Sequence, residues 1–439
     1  MRFVVVSSPA GPPPGKSRPV VFLHVGAAKS GTTYLQNVLW DNRRRLREHG
    51  VLYPGRDSAA HVRAAFDLRK VFFPGASDPT TRGAWRELVD EARDWDGTVI
   101  ISQELFAPAA PEVVARALRD LSFAEVHILF TARDLARQIP AHWQEDVKNR
   151  FTVTFQEFVS SLGRAQWQSF EVARLFWGLQ DAADVLARWS ADLPPDRVHV
   201  VTLPRPGAPR DLLWRRFCEA LGLDPESCDP SKTFANPSLG LAETQFLRRV
   251  NTEIDERVPW LVYNNIVKLD LAQQVLTRRP DPLKITMSEA DHRWATRRGT
   301  RMVETLRTAG YRVVGDLDEL IPGPPPKGEW LDPDEPRHAE MLDVSVDAIA
   351  ALAVHMRDLR DQTRTVPNAT ESVRDQTARL RADAVVLREI TSRMAHDSAP
   401  AVKRAVRTLS ERYPTVMRLR RAYWRVQETR QSAEGGDRA

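Results

Sequence analysis

The sequence predicts an α/β fold: a central parallel sheet with helices on both faces, three layers in all. Three observations predict it. Short runs of β-branched and other apolar residues recur along the chain, as strands buried on both faces require. Each run is followed by a stretch with helical spacing, the alternation that parallel crossovers need. The first run ends in glycine and opens directly into a helix, the arrangement of an anion-binding turn. A helical extension follows at the C-terminal end.

The elements follow in order. Pro19 to Val25 (PVVFLHV) is a buried strand, and Thr33 to Arg47 a helix with Leu35, Val38, Leu39 and Leu46 on its apolar side. Thr98 to Ser102 (TVIIS), Glu125 to Thr131 (EVHILFT) and Arg197 to Leu203 (RVHVVTL) are the next strands. Tyr311 to Val314 reads as a last short strand or as the end of a helical hairpin. The proline-dense stretch around 321–336 reads as a linker. The expected organisation is a flexible segment 1–17, an α/β domain 18–322, a Pro-rich linker 323–336 and a helical region 337–439, broken at Pro367. The tail carries Lys403, Arg404, Arg407, Arg412, Arg418, Arg420, Arg421 and Arg425. It reads as a solvated basic helix, with contact to a membrane surface or a protein partner as the alternative.

Composition narrows the function. The net charge is +5, from 63 basic and 58 acidic side chains, a mild excess that suits anionic cofactors. No basic run interleaved with aromatics marks a nucleic-acid groove, and none is expected as partner. Cys218 and Cys228 lie outside any CxxC or Cys/His cluster; two reduced thiols are expected, with a single bridge as the alternative. The N-terminal apolar run is too short for a signal-peptide core and no stretch approaches a membrane span, so a soluble cytoplasmic protein is expected. Without HExxH, a two-His–carboxylate spacing or an EF-hand loop, no metal is expected. Asp316, Asp318 and Glu319 read as a solvated turn rather than a cation site.

The segment Gly26-Ala27-Ala28-Lys29-Ser30-Gly31-Thr32-Thr33 carries the chemistry. Ligands of open parallel sheets bind beyond the carboxyl ends of the strands, where this loop lies. Gly26 and Gly31 permit a tight turn and a close approach of the backbone. The N–H groups of Ser30 to Thr33 lack helical partners and face an anion, with help from the helix dipole. Thr32 and Thr33 add hydroxyls and Lys29 a mobile charge. In the ATP- and GTP-binding pattern GxxxxGK(S/T) the lysine follows the second glycine. Here Lys29 precedes Gly31, which removes most support from a phosphotransferase.

GAAKSGTTYLQ closely resembles the 5′-phosphosulfate loop of sulfotransferases that use 3′-phosphoadenosine 5′-phosphosulfate (PAPS, with PAP as product). The resemblance implies a P-loop-like fold, with Ser30 to Thr33 on the 5′-phosphate and Lys29 at the bridging oxygen as the sulfuryl group leaves. His127-Ile128-Leu129-Phe130-Thr131-Ala132-Arg133-Asp134 resembles the family's 3′-phosphate element, with Arg133 as the grip. The family usually has a serine eight positions later; here Ala141 stands beside His142, so His142 or Arg137 is the expected substitute. Gly50 to Gly55 (GVLYPG) also resembles bacterial members. The specific motifs occupy two short parts of 19–322.

Sulfuryl transfer to a hydroxyl needs in-line attack, a stabilised leaving oxygen and a base. Glu104, just beyond the strand ending at Ser102, is the first candidate base, with Ser102 as support; some family members use Glu here and others His. His61 is the second. Trp143, Trp167, Trp177 and Trp189, with Phe170 and Phe176, read as core, or as lining for an acceptor. Asn236 and Ser238 read as a turn and cap. The expected reaction is transfer of a sulfuryl group from PAPS to a hydroxyl of a carbohydrate, lipid or small metabolite. A P-loop kinase and a non-catalytic nucleotide-binding relative are the alternatives.

Overall fold

The computed structural model describes residues 18–72, 78–230, 238–358 and 360–361; the segment 1–17, Asn236, Pro367 and the basic tail lie outside them. The chain divides into two compact units, Met1–Leu352 and Ala353–Ala439. The site lies in the first.

Among the described residues six strands form one sheet: β1 (Val20–Gly26), β2 (Val51–Leu52), β3 (Thr98–Ser102), β4 (Glu125–Ala132), β5 (Val198–Thr202) and β6 (Arg312–Val314). Every pairing is parallel and the order is β2-β3-β1-β4-β5-β6. The expected strands are present, and the stretch after Tyr311 is a strand. β2 was not foreseen, because two residues carry no readable alternation.

Helices cover the sheet. They are α1 (Thr32–Asp41), α2 (Arg43–Glu48), α3 (Ala60–Arg69), α4 (Ala84–Arg93), α5 (Pro111–Asp120), α6 (Leu135–Lys148) and α7 (Phe155–Leu162). Then come α8 (Glu171–Gln180), α9 (Ala182–Trp189), α10 (Leu212–Leu221), α11 (Leu241–Ile254), α12 (Trp260–Tyr263) and α13 (Glu289–Thr308). A π-helical stretch, Asn264–Val275, continues α12. The predicted helix 33–47 breaks at Asn42, whose side-chain amide donates to Val38 O (2.9 Å) and Asp229 O (3.1 Å). A bond to residue 229 is invisible in local spacing.

Alternation along the strands sorts the cores. Val21, Leu23, Val25, Val99, Ile101, Ile128 and Phe130 pack with α3, α4, α5, α9 and α13. Phe22, Ile100, Leu129 and Val201 pack with α1, α2 and α10 on the other face. A third core gathers α6, α7, α8, α11, α12 and part of α13. Trp143, Phe176 and Trp177 are buried there, Trp167 and Phe170 pack against it, and Trp189 sits in the first core. The aromatics are packing residues. Cys218 and Cys228 are buried free thiols. Of the acids after β6, Glu319 pairs with Arg216 (2.6 Å) and Asp318 with Arg307 (2.5 Å), while Asp316 Oδ1 accepts from Asp318 N (2.8 Å).

The Pro-rich stretch is stitched to the helical core. Asp334 accepts from the first free amides of α7, Phe155 N and Gln156 N, both at 2.8 Å. Gln245 of α11 donates to Pro333 O (2.9 Å) and Glu335 O (2.7 Å). A helix that begins at residue 338 buries Val344 and Ala348 in the same core. Among the described residues no helix is long and apolar enough to cross a membrane.

Gly31 has a left-handed φ of 88°, and a Cβ there would lie 2.4 Å from Leu213 Cδ2. Gly50 is also left-handed (φ 77°) but faces open space. Both substitutions by alanine cost roughly 1–2 kcal/mol for the backbone, and Gly31→Ala adds about 1–3 kcal/mol of overpacking. Denaturant unfolding of the two variants is therefore expected to show Gly31→Ala clearly the less stable; equal losses would refute the Leu213 contact.

Candidate functional site

The site lies at the carboxyl edge of β1, β3 and β4, where the loop 27–31 leads into α1. A buried polar chain holds that loop from below. His24 Nδ1 lies 2.8 Å from Ser102 Oγ, and His24 Nε2 lies 3.3 Å from Thr131 Oγ1. Thr131 Oγ1 donates to Gly26 O (2.9 Å) and lies 2.5 Å from Ser30 Oγ, which is 2.6 Å from Ala27 O. Register puts His24 opposite Ser102, and both neighbours of β1 supply hydroxyls to one imidazole. Burial pushes His24 down to about 4 against the raising effect of Gly26. The ring is neutral near pH 7, so one nitrogen donates and the other accepts.

Three side chains brace the loop, from the turn after β4, from α6 and from α8. Arg133 Nη1 donates to Lys29 O (3.0 Å), while Gln138 and Gln180 both donate to Ala28 O. With carbonyls turned to these donors, the amides of Gly31, Thr32, Thr33 and Tyr34 are left without a backbone acceptor; the first to find one is Leu35 N, on Gly31 O (3.1 Å). Four consecutive N–H groups at a helix N-terminus form an anion cradle.

Several expected residues occupy other roles. Ser30 points into the fold and its N–H reaches Ala27 O (3.4 Å), so it ties the loop rather than facing the cradle. Gly26 is required by packing, since a Cβ there would lie 2.6 Å from the Phe130 ring. Thr32 is buried and Thr33 exposed. Arg137 pairs with Asp134, the N-cap of α6, and donates to Pro204 O (3.2 Å). His61 was a candidate base, but its Nδ1 accepts from Ser102 N (3.0 Å) and its Nε2 donates to Pro54 O (2.8 Å). Burial takes it to about 4, despite the raising effect of the Pro54 bond. With both nitrogens occupied and no exposure, His61 joins β3 to the turn at Pro54 and takes no proton from a ligand.

His142 is likewise not at the cradle surface. It is buried between Phe158 and Phe176, with Nδ1 3.2 Å from Gln180 Nε2 and Nε2 3.4 Å from Asp146 Oδ1. Burial, with Lys29 nearby, lowers it to about 3. Arg133 is better placed: Nη1 braces Lys29, while Nε is buried without a partner. Burial, and then the charge of Arg137, lower Arg133 to about 10, so it remains a cation at neutral pH.

Lys29, in a left-handed conformation (φ 62°), reaches across to α6 and donates to Glu145 Oε2 at 2.5 Å. Lys148 Nζ is 3.1 Å from the same oxygen and Lys268 Nζ is 3.2 Å from Oε1. Burial works to raise Glu145, but the three ammoniums outweigh it and hold the carboxyl well below the usual range. Burial, helped by Glu145, pushes its neighbour Asp146 well above that range. Burial and the charge of Lys29 take Lys148 down to about 8. Glu145, Lys148 and Lys268 were absent from the sequence reading. The i,i+3 pair of acid and lysine at the end of α6 was a readable signal; Lys268, more than a hundred residues away, left none.

Glu104 follows β3, the neighbour of β1, and is partly exposed. Its Oε2 accepts from Gln36 Nε2 of α1 at 3.0 Å, and the same amide lies 3.4 Å from Ser102 O and Oγ. Glu104 and the Lys29 loop thus rise from adjacent strands on one sheet edge. Two surface hollows, one around Arg56, Asp57, Arg63 and Glu87 and one around Trp40, Arg43, Arg47 and Glu91, contain no residue of the loop.

Neither a family model nor a curated protein matches the chain. Among solved structures it is similar to a sulfotransferase from Alicyclobacillus acidocaldarius, at 21% identity and a TM-score of 0.34, over 50% of this chain and 87% of that one. A likeness that loose leaves the chemistry to the residues themselves.

The neutral rings of His24 and His61 set a pH dependence. In the unfolded chain each takes up a proton near 6.5, whereas in the fold neither does so until about 4. Their contribution to stability is full above pH 6.5 and is lost as pH falls toward 4. Thermal melts are expected to drop across that window, and His61→Gln to flatten the drop; an unchanged slope would count against the buried neutral ring.

Proposed function

We propose that this chain is a sulfotransferase that moves the sulfuryl group of PAPS to a hydroxyl acceptor. The observation that carries the reading is the cradle itself: four unpartnered amides at the start of α1, with Lys29 ahead of Gly31 rather than behind it. The donor set fits the nucleotide. The amides of Gly31 to Tyr34 suit its 5′-phosphate, and the unpartnered Nε of Arg133 offers a free edge of the guanidinium to its 3′-phosphate. When bound, PAPS supplies an activated sulfuryl group and a phosphate leaving group.

The residues divide the remaining work. Lys29 is a cation held beside the cradle by Glu145, suited to negative charge that grows on the leaving oxygen. Glu104, on the adjacent strand and partly exposed, is the base for the acceptor hydroxyl, and Gln36 orients it through Oε2. His61 leaves the list of bases because both its nitrogens are engaged. With Ala141 in place of a hydroxyl donor, Arg133 carries the 3′-phosphate with fewer partners.

Calorimetry with PAP and with ATP tests the reading. PAP is expected to bind in the micromolar range, and Lys29→Ala and Arg133→Ala each to weaken it by roughly tenfold or more, the loss of a charge-assisted contact. ATP bound in preference to PAP would overturn the reading. Glu104→Gln is expected to cut transfer by about 10²–10⁴-fold while PAP affinity stays nearly unchanged; wild-type transfer in that variant would remove Glu104 as base.

A further inference from the structure

Beyond the cradle the site is crowded with positive charge that a nucleotide donor does not use. Three ammoniums, those of Lys29, Lys148 and Lys268, converge within 2.5–3.2 Å of one carboxylate, Glu145. The adjacent acid turns elsewhere: Asp146 Oδ1 lies 3.4 Å from His142 Nε2, and burial, helped by Glu145, pushes its carboxyl above the usual range. Lys268 also donates to Asn149 Oδ1 (2.6 Å), a neutral partner. Three ammoniums therefore share one carboxylate at contact distance. Such a surplus in a half-buried place is unfavourable unless another anion joins it.

Lys148 and Lys268 come from segments outside those assigned to the donor, although the ammoniums of Lys148 and Lys29 meet on the same Glu145 oxygen. Arg133 stands just before α6, whereas Lys148 is the last residue of that helix, roughly 20 Å further along its axis at 1.5 Å per residue. Lys268 belongs to the π-helical stretch, which lies outside both nucleotide motifs. Lys29 is the one member shared with the cradle. Glu145 and Lys29 remain about a quarter exposed at the side chain while Lys148 is buried, so the cluster has an open side and a cationic floor.

We propose that Lys148 and Lys268 form a subsite for an anionic group of the acceptor, which makes the acceptor a hydroxyl compound that bears a carboxylate or sulfate. Glu145 occupies the place of that anion in its absence. Ammonium groups suit both anions, and Lys268, which reaches in from a separate helix, supplies the selectivity against neutral acceptors. The inference rests on the sulfotransferase reading, because that reading assigns the loop and Arg133 to the donor.

The test uses the full-length chain saturated with PAP, and inorganic sulfate as the anion probe, at constant ionic strength. Sulfate is expected to raise the melting temperature saturably. In Lys268→Met the sulfate requirement should rise about fivefold or more, as for one lost charge-assisted contact, while the Kd for PAP stays as in wild type. Lys268→Arg, which keeps the charge, should retain most of the sulfate effect. The proposal is overturned if sulfate acts on Lys268→Met as on wild type, if its effect never saturates, or if PAP weakens in Lys268→Met by the same factor, which would place Lys268 in the donor site. Failure of wild type to bind PAP at all is a separate result: it removes the sulfotransferase reading, and the subsite's assignment to an acceptor with it.

Discussion

The hydrogen bonds that run from Ser102 through His24 and Thr131 to Gly26 O, with Ser30 Oγ tied to Ala27 O beside them, keep the cradle in shape. Each member comes from a different segment: two flanking strands, the central strand and the loop. Because the register of a parallel sheet is set by long-range pairing, the loop inherits its position from three strands at once. A buried polar chain of this sort is favourable only when every member is satisfied. Here the satisfied state requires the carbonyls of Gly26 and Ala27 to face inward. That requirement leaves the amides of α1 facing outward.

The cationic centre on α6 is the counterpart of that order. Glu145 is ionised at a depth where burial alone would keep it neutral, because Lys29, Lys148 and Lys268 outweigh burial. The same electrostatics press Asp146 the other way. The carboxyls of two adjacent residues of one helix are thus pushed in opposite directions by the side each presents. Such pairs stabilise little compared with an apolar core of equal volume, and removal of one partner costs several times more than the pair contributes.

Much of the sheet was legible, since strands buried on both faces spell near-continuous apolar runs. The place of Lys29 and Arg133 at the carboxyl edge of the sheet was legible too, because a loop at a strand end has few places to go. The readings that changed all depend on a distant partner. His61 looked like an available imidazole until Pro54 O and Ser102 N–H took its two nitrogens. Ser30 looked like a ligand contact until Thr131 drew its hydroxyl inward. His142 sits on the helix face that meets Phe158 and Phe176, and periodicity alone does not say which neighbour arrives. Lys268 reaches Glu145 from a π-helical stretch whose apolar residues follow no simple period.

The stitching of Asp334 to α7 bears on where the folded unit can be cut. A chain that stopped at Pro322 would keep every strand and every residue of the cradle. It would also leave the first amides of α7 without their carboxylate and strip Val344 and Ala348 from the core that α6 helps to build. The helix that carries Glu145 and Lys148 would then rest on an uncovered apolar surface. The smallest autonomous piece of this protein therefore runs past Ala348, and a protease that nicks the proline-rich strap would reach the Glu145 cluster through packing, without touching it.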